Sequence, residues 1–160
     1  MSRPAAAFLH RRMVVETRLL SGRAAQRTFA IVFQTGDRVL EGLTRFAATH
    51  DIDAAAFTAI GAFQRATLGY FDLEQRDYRR IEFDEQVEVL SLTGNIARGP
   101  EGVAIHAHVV IGRADATAHG GHLLEATVRP TLEVVAIEPP AHLRRRVDSA
   151  TGLPLLDLQA

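Results

Sequence analysis

"EQVEVLSLTGNIARGPEGVAIHAHVVIG", residues 85–112, decides how this chain folds. In its first part Val87, Val89, Ser91 and Thr93 alternate with Glu88, Leu90, Leu92 and Gly94. A period of two is the mark of a strand, whose successive side chains point to opposite faces. "RGPEG" (98–102) carries the residues of a turn. "VAIHAHVVIG" (103–112) is strand-like again.

Strand signals continue on both sides. "RTFAIVFQ" (27–34) places Phe29, Ile31 and Phe33 on one face. "TGD" breaks it, and Asp37 is a good N-cap. From Arg38 the pattern turns helical, with Val39, Leu40, Leu43, Phe46 and Ala47 on one side and an outer Glu41–Arg45 pair, ending near His50. "DIDAAAFTAIGAF" (51–63) reads as loop then strand. "QRATLGYFD" (64–72) is a strand, and "DYRRIEF" (77–83) returns beside it as a hairpin. "ADATAHGG" (114–121) reads as a loop, and "TLEVVAIEP" (131–139) as a strand stopped by Pro139 and Pro140. "HLRRRVD" and "LPLLDL" flank a turn-like "SATG". The expected fold is one α+β domain over 27–160, a largely antiparallel sheet with one main helix. Residues 1–26 read as a loosely ordered lead-in.

Bulk numbers narrow the function. The 160 residues, 47% hydrophobic and 23% charged, suit one ordinary globular domain. No apolar run reaches the ~18 residues of a membrane span, and the basic start lacks the features of a signal peptide. There is no cysteine, so a metal site must use imidazole and carboxylate ligands. That absence fits a cytoplasmic location. The net charge is −1, and all 18 basic residues are arginine. Nucleic-acid-binding domains usually show a positive excess, because phosphate neutralisation supplies most non-specific affinity.

Four of the seven histidines fall within "AIHAHVVIGRADATAHGGHL" (104–123). His106 and His108 sit two apart on a strand, so their rings share a face and can lean onto one ion. Gly120 and Gly121 allow a tight turn that could return His122 as a third ligand. Three imidazoles leave a fourth position for water. Two solvated histidines remain the plainer reading of H-x-H alone. His119 has the weaker case, and His10, His50 and His142 read as surface residues. Glu88 and Glu133, each inside an apolar strand, either lie on a solvated or intersubunit face or accept the second N–H of a metal-bound histidine.

"IGAF" (60–63), "LGYFD" (68–72), "VEVLSLTGNI" (87–96), "IHAHVVIGRAD" (105–115), "GGHL" (120–123) and "TLEVV" (131–135) occur in that order. Together they resemble the plant and prokaryote conserved (PPC) domain family over about residues 27–158. The resemblance implies an α+β fold, a homotrimer, and a metal site at His106, His108 and His122, with zinc first among divalent transition metals. It implies a stand-alone module with an assembly or regulatory role. DNA binding is the alternative, and a metal-dependent enzyme acting on a small molecule is a further one. The Arg-Gly-Arg-Pro element with which plant members enter the minor groove is absent. Arg144, Arg145 and Arg146 form the best remaining basic patch. If they lie on a strand, only Arg144 and Arg146 share a face.

Overall fold

The computed structural model describes residues 27–139 and 142–159. The expected lead-in at 1–26 lies outside the described residues. The elements are β1 (Arg27–Gln34), α1 (Val39–Thr49), β2 (Ala54–Asp72), β3 (Asp77–Phe83), β4 (Val87–Gly99), β5 (Gly102–Gly112), β6 (Ala118–Glu138), β7 (Arg144–Val147) and β8 (Pro154–Asp157). All eight strands join one sheet, ordered β3-β2-β6-β5-β4-β7-β8, with β1 on β6. Every pairing is antiparallel except the single bridge between β4 and β7. Because β2 also pairs with β4, the strands β2, β4, β5 and β6 close into a ring. This is the expected α+β domain with one helix.

The core lies between the inner faces of these strands and α1. Phe63, Leu92, Ile96, Ile111, Leu123 and Leu132 are buried there, and the helix adds Val39, Leu43 and Ala47. Each large side chain so buried contributes roughly 1.5–3 kcal/mol. Phe29, Ile31 and Phe33 do share the inward face of β1, as the alternation predicts.

Five local expectations are corrected. Asp37 does not cap the helix: its carboxylate accepts the Gln34 backbone N–H at 2.8 Å and ties down the preceding turn. Arg38 takes the N-cap position without a side-chain hydrogen bond. Glu41 lies 3.9 Å from Arg38, one turn back, rather than pairing with Arg45. The alternation in β4 changes phase, because a bulge at Leu90 leaves one extra residue between the Val89–Ile111 and Ser91–Val110 pairs. Val87, Val89, Leu92 and Ile96 therefore all face the core.

The other two corrections concern strand length. Residues 54–72 form one continuous strand rather than two pieces. "ADATAHGG" is a loop in its first half only: β6 begins at Ala118, and residues 113–117 turn the chain. The Arg113 N–H donates to the Thr117 carbonyl at 2.9 Å, and Asp115 accepts the Thr117 N–H and hydroxyl at 3.0 and 2.6 Å. Among the described residues no helix is long and apolar enough to cross a membrane.

Candidate metal centre

The β5–β6 hairpin builds the site. Ala107, Val109 and Ile111 bury their side chains on the core face of β5, so His106 and His108 project from the other face. Across the hairpin, His108 stands directly opposite His122. The third imidazole thus arrives by cross-strand register, not by a glycine turn. Gly120 and Gly121 are ladder residues opposite Val110 and Val109.

One of those glycines has a steric role. A Cβ at Gly121 would stand 3.1 Å from the Gly69 carbonyl and 3.3 Å from Leu68, where β2 runs alongside. Gly69 itself faces His122, and a Cβ there would meet the Tyr78 ring at 2.6 Å. A bare backbone at Gly69 lets Tyr78, reaching from β3, stack on His122 with centroids 4.7 Å apart and planes 23° from parallel.

The ring centroids of the three histidines lie 5.1, 5.1 and 5.3 Å apart. One nitrogen from each falls within 4.8 Å of the others. His106 Nε2 and His108 Nε2 are 3.2 Å apart. Two nitrogens 2.0–2.1 Å from one tetrahedral zinc ion would stand about 3.3–3.4 Å apart, so this pair already has the bite of a chelate. His122 Nδ1 is buried without a hydrogen-bond partner. An orphaned buried imidazole nitrogen is costly unless something binds it.

Electrostatics favour the ligating form. Burial, then the positive charge of Arg145, then His108, lower the pKa of His106. Burial, then His106, His108 and Arg145, push His122 down to about 4. At neutral pH both imidazoles are uncharged and keep a lone pair for a metal.

The structure does not bring Glu88 or Glu133 to this cluster. Glu88 pairs with Gly112, four residues along β5 from His108, or about 13 Å at ~3.3 Å per residue. Glu133 lies eleven residues along β6 from His122, opposite Val32 and Ile60. His119 is in β6 but on the face opposite His122, with its ring 5.2 Å from Phe83. His50 and His142 are exposed, as expected, and His10 lies outside the described residues.

Sequence reasoning missed three neighbours of the cluster. Asn95 on β4 stands opposite His106. Arg145 on β7 donates from Nη2 to Asn95 Oδ1 at 2.5 Å and from Nη1 to the Pro154 carbonyl at 2.6 Å. Tyr78 is the third. Arg144 and Arg146 do share the outer face of β7, but the arginine between them is buried. A charged run reads as a solvated strand, and only the inward member of the alternation betrays a different role.

A closed antiparallel sheet with one helix, carrying a cluster of imidazoles on one hairpin, defines the class of protein. Its family model, the Plants and Prokaryotes Conserved (PCC) domain, matches residues 20–140, and the chain belongs to that family. A metal-containing protein from Archaeoglobus fulgidus is 30% identical, with a TM-score of 0.79 over 88% of this chain and 99% of that one. A plant- and prokaryote-conserved protein from Pyrococcus horikoshii is 26% identical, with a TM-score of 0.80 over 89% and 99%. A protein from Bacteroides thetaiotaomicron described as a candidate DNA-binding protein is 28% identical, with a TM-score of 0.80 over 83% and 93%. No curated protein matches the chain.

Proposed function

We propose that this chain is a metal-binding homotrimeric module with an assembly or regulatory role. His106, His108 and His122 hold one divalent transition metal, zinc first. The carrying observation is the convergence of three imidazole nitrogens within 4.8 Å, two of them at chelating distance. The Archaeoglobus fulgidus relative described as metal-containing supports the same reading. Imidazole also suits nickel, copper and iron, so the donor set favours zinc without excluding them. The test is elemental analysis of untagged protein after zinc is supplied. One ion per chain, lost in each of the three alanine variants, is expected. Native protein without stoichiometric metal would overturn the reading.

Self-association is supported by the outer face of β1, β6 and β2. Val32, Ile60, Val135 and Ile137 lie 57%, 61%, 49% and 40% exposed there. They share one face, where Ala30 and Thr58 flank Val135 and the exposed Glu133 stands between Val32 and Ile60. Exposed apolar side chains gathered on one sheet face mark an interaction surface. Light scattering should give roughly three times the 17.5 kDa chain mass at micromolar concentration. A monomer would refute the trimer.

DNA binding is the second reading, favoured by the description of the Bacteroides thetaiotaomicron relative. The charge argues that it is weak. Arg146 is already paired with Asp157 at 3.0 Å, and the chain carries a net −1 that a trimer multiplies rather than reverses. Binding should be salt-sensitive and non-specific, with affinities no tighter than roughly 10⁻⁴ to 10⁻⁶ M at physiological salt. A sub-micromolar, sequence-selective titration would reverse the order of the two readings.

A further inference from the structure

Among the described residues Arg145 is the one charged side chain buried in the protein, 9% exposed. Its two amino groups donate to neutral acceptors, the Asn95 amide oxygen and the Pro154 carbonyl. Its Nε is buried with no hydrogen-bond partner. No described carboxylate forms an ion pair with it, although Arg27, Arg38, Arg80, Arg98, Arg113 and Arg146 all have one. A buried guanidinium without a counterion is costly, and leaving a donor unmade adds to the cost.

Its position gives that cost a meaning. Asn95, which Arg145 grips, stands opposite His106. The Arg145 charge acts on both His106 and His122. A divalent ion on three neutral imidazoles would add two more positive charges to this corner. No carboxylate is among the charged groups that act on His106 or His122. Asn95, Tyr78 and Arg145 surround the histidines with neutral or positive groups, while His108 lies exposed and leaves the cluster open on its side.

We propose that Arg145 and the histidine cluster together form a binding site for a small carboxylate. One carboxylate oxygen accepts the Arg145 Nε–H, and the other turns toward the ion held by His106, His108 and His122. With both amino groups of Arg145 already engaged, a single charge-assisted hydrogen bond from Nε supplies the carboxylate's orientation. The ligand is small, because Tyr78 covers His122 on one side. This inference rests on the metal reading above for its second contact, but not for its first.

The experiment separates the two. Cobalt(II) is supplied to the metal-free protein and its stoichiometry measured, and acetate is then titrated while the visible absorption of the cobalt is followed. Acetamide and inorganic phosphate run in parallel, with Arg145→Gln and Arg145→Lys as variants. The side-chain Nε–H resonance of Arg145 is followed with acetate in the metal-free protein. Acetate should change the cobalt spectrum saturably and acetamide should not. Arg145→Gln should keep cobalt stoichiometry and circular dichroism while weakening acetate by at least about tenfold, the lower end for a hydrogen bond to a charged group. Arg145→Lys, which keeps the charge without the planar edge, should fall between. If cobalt does not bind, the metal reading fails, and the Nε–H resonance alone decides the carboxylate. Acetate that leaves that resonance unmoved overturns the proposal. So does Arg145→Gln protein binding acetate as tightly as the native chain, or phosphate binding more tightly than acetate.

Discussion

The two ends of β6 share one inward pattern and differ outward. From Ala118 to Val128 the strand buries Leu123, Ala126 and Val128, and from Thr131 to Glu138 it buries Leu132, Val134 and Ala136. The core treats both ends alike. On the outer face the first end carries His122 beside two more imidazoles, and the second carries Val135 and Ile137 beside Val32 and Ile60. One strand therefore presents a polar, ion-sized cluster at one end and an apolar patch at the other. Inward residues fix where the strand sits, and outward ones say what each end can meet.

The sharpest way to break the comparison is to remove a ligand. His122→Ala should take the protein from one ion per chain to none by elemental analysis, with unchanged circular dichroism and unchanged mass in solution. Loss of the proposed trimer in the same variant would show the two ends to be coupled. The converse change is Val135→Arg, which places a charge in the apolar patch. Its mass by light scattering should fall to that of one chain while the metal content stays stoichiometric. A trimer that survives it would move the interface elsewhere.

A smaller effect follows from pH. His122 titrates near 4 in the fold against 6.5 unperturbed, because burial and its neighbours disfavour the charged form. The unfolded chain then binds the proton first, so the metal-free protein should lose stability as pH falls from 6.5 toward 4. This contribution is fully present above the unfolded value. In His122→Gln the urea midpoint should change less over that window. An equal slope in both proteins would place the acid sensitivity elsewhere. The smallest effects are expected at the two acidic residues far from the cluster. Glu88→Gln and Glu133→Gln should each shift metal affinity by less than about tenfold, the lower bound when an acceptor for a ligating histidine is lost. A larger loss in either would tie that carboxylate to the histidines after all.

Much of the fold was legible in the sequence, because alternation in β1 and at the start of β4 and the three-to-four spacing of α1 are direct prints of burial. What escaped had other causes. The bulge at Leu90 inserts a residue without changing composition, so the inward set of β4 changes phase unannounced. The start of β6 reads as a loop because "AHGGH" has no apolar alternation; its pairing comes from β5 and β2, distant in sequence. In the candidate site, the H-x-H spacing was enough to pair His106 with His108. His122 does converge with them, but cross-strand register and not a glycine turn aligns it. Arg145 was read only as part of a basic patch, because its burial comes with β7 crossing to β4 through the single Arg98–Arg144 bridge.

The placement of His108 and His122 as ladder partners also sets the thermodynamics of any ion they share. Tying two residues this far apart in a free chain costs about 3 kcal/mol of loop-closure entropy for a loop of ~15 residues. Here the β5–β6 ladder and the Arg113–Thr117 turn have closed that loop before an ion arrives. Coordination free energy is then not consumed in ordering the backbone, unlike in small domains that fold only around their metal. An ion held there would leave and return to a hairpin that keeps its shape, and its occupancy would follow the free metal concentration rather than the folding equilibrium.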